Sequence, residues 1–523
     1  MAVGSTMRPG RHEVLPRNRP PHPPGATRSR WSVWWPSLAV ALPLLAYVVL
    51  IGQVEPWIWD YGQHAAVIDR LQHARAHPGN PLLDIPDGSS PYYTPFTVAA
   101  ALAGRALGLT AFGTIKMCAV VNGAMLLSGV CRLTRLLSPS RWAPPVALLF
   151  TLFLWGPVGF LWAGFHNAFS LALNAGFPSC FALAMALHLW VGAARWARVP
   201  RPWLLLLMTP AAAVTLISHT IAGVGAALGC LAFLARPLLR LTAGQRLQLV
   251  AAGLVCTAMV VAWPYYNVLT LVGSDQLDHL HARVYKNVWG VYGFGALGLV
   301  ALAGRLRRDA LDPLAALAGA ALLLVVHGYC TGAYTLSRMS VFAMIALQVA
   351  LAVESVTWWR GTARTRLVVV VAVAACAVGM WAQSSPLVWL VPRGQRAVAE
   401  RVLPEPYARW AHLDWAASRM RRGDVVAATA KPLNHLIPAY GMSLVSPAWP
   451  DPTLSTAEAA ARYRALRTVF TPGAAPAARR QALARYEVRW ILATREQTPL
   501  FSRMPGVVKA GEGPGGAALY AVE

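Results

Sequence analysis

Charged residues are scarce in this 523-residue sequence, and acidic residues are the scarcest of them. Only 13% of the residues are Asp, Glu, Lys or Arg, and 21 acidic residues stand against 46 Lys and Arg residues. A soluble chain of this length carries about 25% charged residues. Because 56% of the residues are hydrophobic and most of them fall in long runs, the composition predicts a polytopic membrane protein rather than a soluble one.

Several motifs of nucleotide and metal chemistry are also missing. The seven cysteines form no Cys-x-x-Cys pair, so neither a disulfide framework nor a structural zinc site is expected. The sequence contains no Walker loop, no Gly-x-Gly-x-x-Gly that opens a Rossmann unit, and no His-Glu-x-x-His. We therefore expect no bound cofactor, although a divalent metal held by scattered acids and histidines stays open as an alternative.

The arginines fall in short clusters between the apolar runs, which is a topology signal rather than the footprint of a nucleic-acid binder. Six arginines precede the first run, so residues 1–32 are predicted to be a disordered cytoplasmic tail. Residues 96–109 are too short to span and are predicted to lie along the outer surface, because every later arginine cluster then faces inward. About eleven spans follow from this register: 35–54, 112–131, 143–162, 177–194, 202–217, 220–235, 248–268, 287–304, 313–330, 339–357 and 367–386.

Three regions result: the tail, an all-α transmembrane domain over 33–386 with an outer loop at 55–111, and residues 387–523. The last region has a different composition and is predicted to be a small extracytoplasmic α/β domain. Strands are expected at 423–428, 488–493 and 517–522, and Ser455 is expected to cap a helix that ends near Phe470. The protein is expected in the plasma membrane, with a cytoplasmic N-terminus and an extracytoplasmic C-terminal domain.

Asp60 is the first candidate for chemistry. It lies where the first span leaves the membrane, and an acid is costly to keep close to hydrocarbon. One interpretation is a plain helix cap, since Asp is favoured at helix starts. The other is a general base that takes a proton from a hydroxyl group. His64, one helical turn later, is expected to orient Asp60 or to bind substrate, and a bystander role is the alternative.

Arg338 is the second candidate, because it is an arginine at the outer end of a late span, against the inside-positive trend. It could be a snorkelling headgroup contact, or a guanidinium that binds phosphate. Arg283, Lys286 and His219 are grouped with it as further candidates for a phosphate site. Their alternatives are headgroup contacts for the two cations and a structural role for the histidine.

The remaining polar groups of the outer side are candidates for binding substrate. Their default interpretations are a solvated loop for the acids and an interfacial belt for the aromatic residues. The residues of this set are Tyr92, Tyr93, His166, Asn167, Asp275, Asp278 and Tyr334. Because these groups come from several spans and converge on one side, we expect a single cavity that opens outward.

The sequence resembles the C-type superfamily of integral membrane glycosyltransferases, and most closely its actinobacterial arabinofuranosyl- and mannosyltransferase branch of cell-wall biogenesis. The segments that carry the resemblance are Trp59-Asp60-Tyr61-Gly62-Gln63-His64, Tyr92-Tyr93-Thr94-Pro95-Phe96, Phe177-Pro178-Ser179 and His219. The resemblance implies a polyprenyl-phosphate-linked sugar as donor, Asp60 as the base and Arg338 as the holder of the donor phosphate. Family members often carry paired acids in the first loop, whereas Asp60 is followed here by Tyr61.

The leading hypothesis is therefore an inverting transfer of a hexosyl or pentosyl group to an envelope glycan or glycolipid on the extracytoplasmic face, with no nucleic-acid partner. Two alternatives stay open. The same cavity could serve a transporter or flippase of a lipid-linked sugar without chemistry, although the hydropathy shows no inverted repeat. The chain could also be a non-catalytic envelope scaffold whose C-terminal domain binds glycan.

Overall fold

The computed structural model describes residues 30–54, 59–271, 278–404 and 410–523. The predicted tail, apart from the start of the first helix, lies outside the described residues, and so does Asp275. The helices of the membrane part are α1 (Arg30–Gln53), α2 (Tyr61–His73), α3 (Pro95–Ala106), α4 (Ala111–Leu137), α5 (Ala143–Phe153), α6 (Ala168–Asn174), α7 (Pro178–Arg198), α8 (Pro202–Ser218), α9 (Thr220–Leu238), α10 (Ala243–Val261), α11 (Asp278–His281), α12 (Val288–Tyr292), α13 (Gly298–Arg308), α14 (Pro313–Thr331), α15 (Ser340–Trp358) and α16 (Ala363–Ala382).

The long apolar helices fall where the arginine pattern predicted spans. Within the described ranges, nine helical stretches are long and apolar enough to cross a membrane, and α5 and α8 are shorter apolar helices at the two other predicted positions. The chain is thus a multi-pass membrane protein with a largely helical membrane domain. The number of eleven spans stays a prediction, because α5 and α8 have only 11 and 17 residues.

Helix α15 is the centre of the membrane domain. Nearly all of its residues are buried, and it packs against α5, α13, α14 and α16. A helix that is apolar on every side can be surrounded by other helices at no cost in polar groups, and α15 occupies this central position. Its one buried amide, Gln348, lies in the middle of this core.

The predicted span at 143–162 is helical only to Phe153, and this is the largest departure from the predicted spans. Gly156 and Pro157 follow a few residues later, and a proline lacks the backbone N–H that a continuing helix would need. The freed groups find partners inside the protein, as they must at membrane depth. Gln348 Nε2 donates to the carbonyl of Leu154 at 2.9 Å, and Gln348 Oε1 lies 3.0 Å from His166 Nε2.

Acidic residues at the arginine-rich end of the helices are paired with arginines. Arg305 Nη2 lies 2.7 Å from Asp312 Oδ2, and its Nη1 lies 3.3 Å from Glu354 Oε1. Arg236 Nη2 lies 2.6 Å from Asp309 Oδ1. These pairs tie the ends of α9, α13, α14 and α15 together, so the arginine clusters hold helices in register as well as marking one end.

Two short helices lie between α1 and α4. Helix α2 is the helix expected after Asp60. Helix α3 is the short apolar piece expected to lie along the surface, and its 12 residues are too few to span a bilayer. Thr94 begins α3 with a capping box, in which its side chain accepts from Thr97 N while Thr97 Oγ1 accepts from Thr94 N.

The C-terminal region forms a five-stranded mixed sheet with helices. Its helices are α17 (Arg396–Val402), α18 (Asp414–Ala417), α19 (Leu433–Leu436), α20 (Thr456–Phe470) and α21 (Pro476–Arg485), and its strands are β1 (Val425–Ala427), β2 (Ser443–Leu444), β3 (Val488–Ala493), β4 (Val507–Glu512) and β5 (Ala518–Val522). The strand order is β2-β1-β3-β5-β4, with β1 parallel to β2 and β3 and the other pairs antiparallel. The three predicted strands and the Ser455 cap are confirmed, and β2 and β4 were not predicted.

The loop after Asp60 and the C-terminal region share one hydrophobic core. Leu83 forms a parallel bridge to Leu444 of β2, and Leu444 N donates to Leu82 O at 2.7 Å. Arg422 Nη2 also donates to Asp69 Oδ1 on α2 at 2.9 Å. The first loop is therefore an integral layer of the C-terminal α/β unit, and Asp60 enters that unit with it.

Gly62 shows how closely α2 approaches the C-terminal region, since a Cβ built there would lie 2.1 Å from the backbone oxygen of His435. We expect Gly62→Ala to destabilise the protein by about 1–3 kcal/mol, because backbone atoms must shift to admit the methyl group. Thermal unfolding in detergent measures the effect. The matched control Gly253→Ala, in α10, has nothing within 4 Å of its Cβ and should leave the melting temperature unchanged or slightly raised. Equal melting temperatures for the two variants would contradict the close contact.

Candidate functional site

Asp60 occupies the N-cap position of α2, but its carboxylate does not cap the helix. The side chain makes no cap hydrogen bond, and only the backbone carbonyl is used, accepting from His64 N at 3.0 Å. Trp59 before it has a left-handed backbone with φ of +46°, a conformation that a bulky residue adopts only under constraint from its surroundings. The carboxylate thus lies at the helix start without capping it.

The groups that influence the charge of Asp60 come from distant parts of the sequence. Burial raises the pKa of Asp60 from 3.8 to about 6, and the charges of Arg338 and Lys431 and the indole of Trp449 act in the opposite direction. The charges of Asp60 and Arg338 therefore act on each other.

A small aromatic cluster with one lysine borders the carboxylate. The rings of Trp59 and Trp449 stack with centroids 6.0 Å apart and planes inclined by 25°. Lys431 Nζ lies 4.5 Å from the Trp59 ring centre and 5.1 Å from that of Trp449. A cation over an aromatic face is attracted by the ring quadrupole, so the two tryptophans hold the lysine charge near Asp60.

Arg338 is buried, with 7% of its surface exposed, in the short 3₁₀ turn that precedes α15. One guanidinium nitrogen, Nη2, donates to the backbone oxygen of Ala163. A second, Nη1, lies 3.3 Å from His281 Nε2. Gly164 is required beside it, because its φ is +80° and a Cβ there would lie 2.7 Å from Nη2. The guanidinium is fixed by these contacts and does not snorkel.

A chain of hydrogen bonds sets the orientation of His281. Thr335 N and Oγ1 each donate to Asp278 Oδ1 at 2.6 Å, which leaves Thr335 Oγ1 to accept from His281 Nδ1 at 3.1 Å. A neutral His281 that donates through Nδ1 presents its Nε2 lone pair to Arg338. Asp278 thereby fixes the tautomer of the histidine that accepts a hydrogen bond from Arg338.

A narrow cavity of about 10 Å³ lies beside Arg338 between α7, α9 and α15. Its polar side is formed by Arg338, His219 and Ser179, and its apolar side includes Leu183 and Phe342. Among the described residues, Arg338 Nε and Ser179 Oγ are buried without a hydrogen-bond partner. His219 Nδ1 accepts from Ala222 N at 3.1 Å, so a neutral His219 carries its proton on Nε2 as a further donor. Unpaired donors in one small cavity fit an anionic oxygen.

His64 and Tyr92 lie in the aromatic wall next to Asp60. The ring of His64 is 4.4 Å from that of Phe177 and 5.7 Å from that of Tyr92, and burial lowers the pKa of His64 from 6.5 to about 3. Burial and the charge of Asp60 raise the pKa of the Tyr92 hydroxyl. His64 is therefore neutral, and its ring packs against those of Phe177 and Tyr92. Of the two residues, Tyr92 is the one whose pKa the Asp60 charge affects.

Three other candidates have structural partners. Tyr93 donates its hydroxyl to Gly79 O at 2.8 Å, His166 pairs with Gln348, and Asn167 Oδ1 caps α6 by accepting from Ser170 N at 2.8 Å. These side chains hold backbone in place, and each is buried.

The last three candidates lie apart from the cavity. Arg283 and Lys286 are exposed on the turn after α11, and Tyr334 packs edge-on against Tyr285 with centroids 5.7 Å apart. None of the three lines the cavity beside Arg338. Across the described ranges, no group of three or more His, Cys, Asp and Glu side chains is placed to hold a metal ion.

Comparison with solved structures identifies the fold. The arabinofuranosyltransferase AftD from Mycobacteria matches with a TM-score of 0.58 at 16% identity, over 93% of this chain and 40% of AftD. The Archaeoglobus fulgidus oligosaccharyltransferase, in its complex with Zn and sulfate, matches with a TM-score of 0.51 at 13% identity, over 92% of this chain and 73% of that one. No family model and no curated protein matches the chain.

The chain thus has the fold of the C-type membrane glycosyltransferases, as the sequence resemblance implied. It spans about two-fifths of the length of AftD. At these identities the likeness establishes the architecture alone, because one fold can host unrelated functions.

The pKa of Asp60 can be tested without an activity assay. In infrared difference spectra of wild type against Asp60→Asn, we expect a carboxyl group that titrates near pH 6. Lys431→Gln should move this midpoint upward, because loss of a nearby positive charge disfavours the carboxylate. The exposed Lys509 on β4 provides the control, and Lys509→Gln should leave the midpoint unchanged. A midpoint near the ordinary value of 3.8 would contradict the buried environment.

Proposed function

We propose that this protein transfers a sugar from a polyprenyl-phosphate donor to a hydroxyl of an envelope glycan or glycolipid, with inversion, at the extracytoplasmic face of the plasma membrane. One observation carries the proposal. A carboxylate with an elevated pKa, not engaged in capping, and a buried arginine with an unpaired nitrogen interact within one site. A general base and an anion-binding group at one reacting centre are what this displacement requires.

Asp60 is the proposed base. With a pKa of about 6 it is mostly ionised at neutral pH, yet it is more basic than an ordinary aspartate. Its side chain is half-buried, which leaves a hydroxyl group room to reach the carboxylate. The aromatic wall of Trp59, Trp449 and Tyr92 limits water around it, which strengthens its interactions with a bound hydroxyl group.

Arg338 is the proposed holder of the donor phosphate. Its Nε, Ser179 Oγ and His219 Nε2 offer donors to a single phosphate oxygen, which matches the volume of the cavity beside them. A whole sugar is too large for that cavity, so the sugar of the donor lies outside it, toward Asp60. The apolar side of the cavity, with Leu183, Ile221 and Phe342, suits the start of a lipid chain.

The reaction balances without a further reactant. The acceptor hydroxyl oxygen attacks the anomeric carbon, and its proton passes to the Asp60 carboxylate. The bond between the anomeric carbon and the phosphate oxygen breaks, and its electron pair leaves with polyprenyl phosphate. Arg338 stabilises the charge that develops on that oxygen. Attack and departure from opposite faces give inversion, and no metal ion is assigned a role.

Asp60→Asn should lower the rate of sugar transfer from a lipid-linked donor by about 10²–10⁴-fold, because the amide cannot accept the proton. Arg338→Gln should raise the donor KM and lower kcat, because it removes the charge that binds and stabilises phosphate. The exposed Asp87 of the same loop provides the control variant Asp87→Asn, which should keep full activity. Full activity of Asp60→Asn, or movement of intact lipid-linked sugar across vesicles without transfer, would overturn the proposal.

His281 is a positioning residue in this scheme, since it contacts Arg338 through Nε2. His281→Ala should raise the donor KM several-fold while the acceptor KM stays unchanged. His281→Gln should restore part of the donor affinity, because its amide oxygen can accept from Arg338. The exposed neighbour His279 gives the control variant His279→Ala, which should match wild type. A parallel rise in both KM values would indicate general damage instead of positioning.

A further inference from the structure

A second and larger cavity, of about 310 Å³, lies in the C-terminal region, away from Arg338. It is formed by the segment before α18, the start of α19 and the segments that follow β3 and β4. The side chains on which its chemistry depends are Trp410, Trp415, Lys431, Thr494 and Arg495. Its volume falls within the range of small-ligand sites, and its lining contains neither Asp60 nor Arg338.

The two indoles of this cavity are partly exposed and held by their neighbours. The ring of Trp410 lies 5.3 Å from that of the buried His435. Trp415 is packed against the backbone before β5, since a Cβ at Gly513 would lie 2.1 Å from its Cε2. Indoles that are anchored on one side and open on the other stack on the C–H faces of sugar rings at a low entropy cost.

The charged side chains that line this cavity are all positive. Lys431 and Arg495 are both exposed cations, and the twelve residues that line the cavity include no Asp or Glu. A neutral sugar would need carboxylate or amide acceptors for its hydroxyl groups, whereas two cations with a hydroxyl from Thr494 are suited to a carboxylate or phosphate group. The lining therefore combines stacking surfaces with an anion site.

Lys431 connects this cavity to the Asp60 site. It lines the cavity, its Nζ lies over the rings of Trp59 and Trp449, and its charge acts on Asp60. A ligand in the cavity is thereby separated from Asp60 by little more than one lysine and two indoles. A ligand chain that extends from the cavity past Lys431 would therefore approach Asp60.

We propose that this cavity binds a sugar residue that carries a carboxylate or phosphate group, as part of the acceptor glycan. The acceptor role rests on the proposed glycosyltransferase function, whereas the binding of an acidic saccharide does not. Trp410 and Trp415 bind the sugar ring, and Arg495 and Lys431 bind its anionic group. The acceptor chain then continues past Lys431 toward Asp60.

Binding is tested on the full-length protein in detergent by isothermal titration calorimetry, with trigalacturonate as the acidic probe and its methyl ester as the neutral match. A galactose phosphate probe shows whether phosphate serves as well as carboxylate. Trigalacturonate should bind wild type, and Arg495→Glu and Trp410→Ala should each weaken it at least about tenfold. The ester should bind more weakly than the acid. The control Arg503→Glu alters an exposed arginine outside the lining and should leave affinity unchanged.

The outcomes separate the two proposals. No binding of any probe, equal binding of acid and ester, or equal binding by wild type and Arg495→Glu would overturn the acidic-saccharide site. Retained binding in Asp60→Asn, together with loss of transfer, is the result expected if both proposals hold. If Asp60→Asn transfers sugar normally while Arg495→Glu loses only probe binding, the proposed base is wrong and the saccharide site stands.

Discussion

The structure depends on holding an arginine and an aspartate in one poorly hydrated site at the edge of an apolar helix bundle. Each charge alone would be expensive to bury, and their mutual attraction offsets part of that cost. The guanidinium is fixed by the Ala163 carbonyl and by a histidine whose tautomer is set through Thr335 and Asp278. The carboxylate is fixed by a strained backbone at Trp59 and by the close approach of α2 to the C-terminal region.

Much of the membrane fold could be predicted from the sequence, because the topology of a membrane chain depends on features that are local in the sequence. Apolar run length and arginine position predicted the spans, and short segments rich in apolar residues predicted β1, β3 and β5. Strand β4 carries Lys509 and Glu512 and is mostly exposed, so it has no apolar run to mark it. The early end of α5 was not predicted either, because an apolar run to 162 conceals it. Gln348, which satisfies the broken backbone, lies 194 residues away from Leu154.

The candidate site was predicted from two anomalies: an acid at a helix exit and an arginine at the wrong end of a span. In each case one residue departs from a statistical trend, and such a departure can be recognised from the sequence alone. Trp449 and Lys431 follow the expected trends, since tryptophan and lysine are ordinary residues in a polar domain. Their part in the site arises only because the first loop packs as a layer on that domain. The role of His281 could not be predicted, because it arises from hydrogen bonds that depend on Thr335 and Arg338.

The bridge between the first loop and the C-terminal sheet has a consequence for biogenesis. Arg70 donates to Ser443, a partner 373 residues later in the chain. At a synthesis rate of about 5–20 residues per second, the loop emerges roughly 20–75 s before the strand that completes it. During that interval Asp69 and the edge at Leu83 lack their partners in the C-terminal region. The nascent protein is therefore incapable of completing this layer until the last quarter of the chain has been delivered to the same side of the membrane.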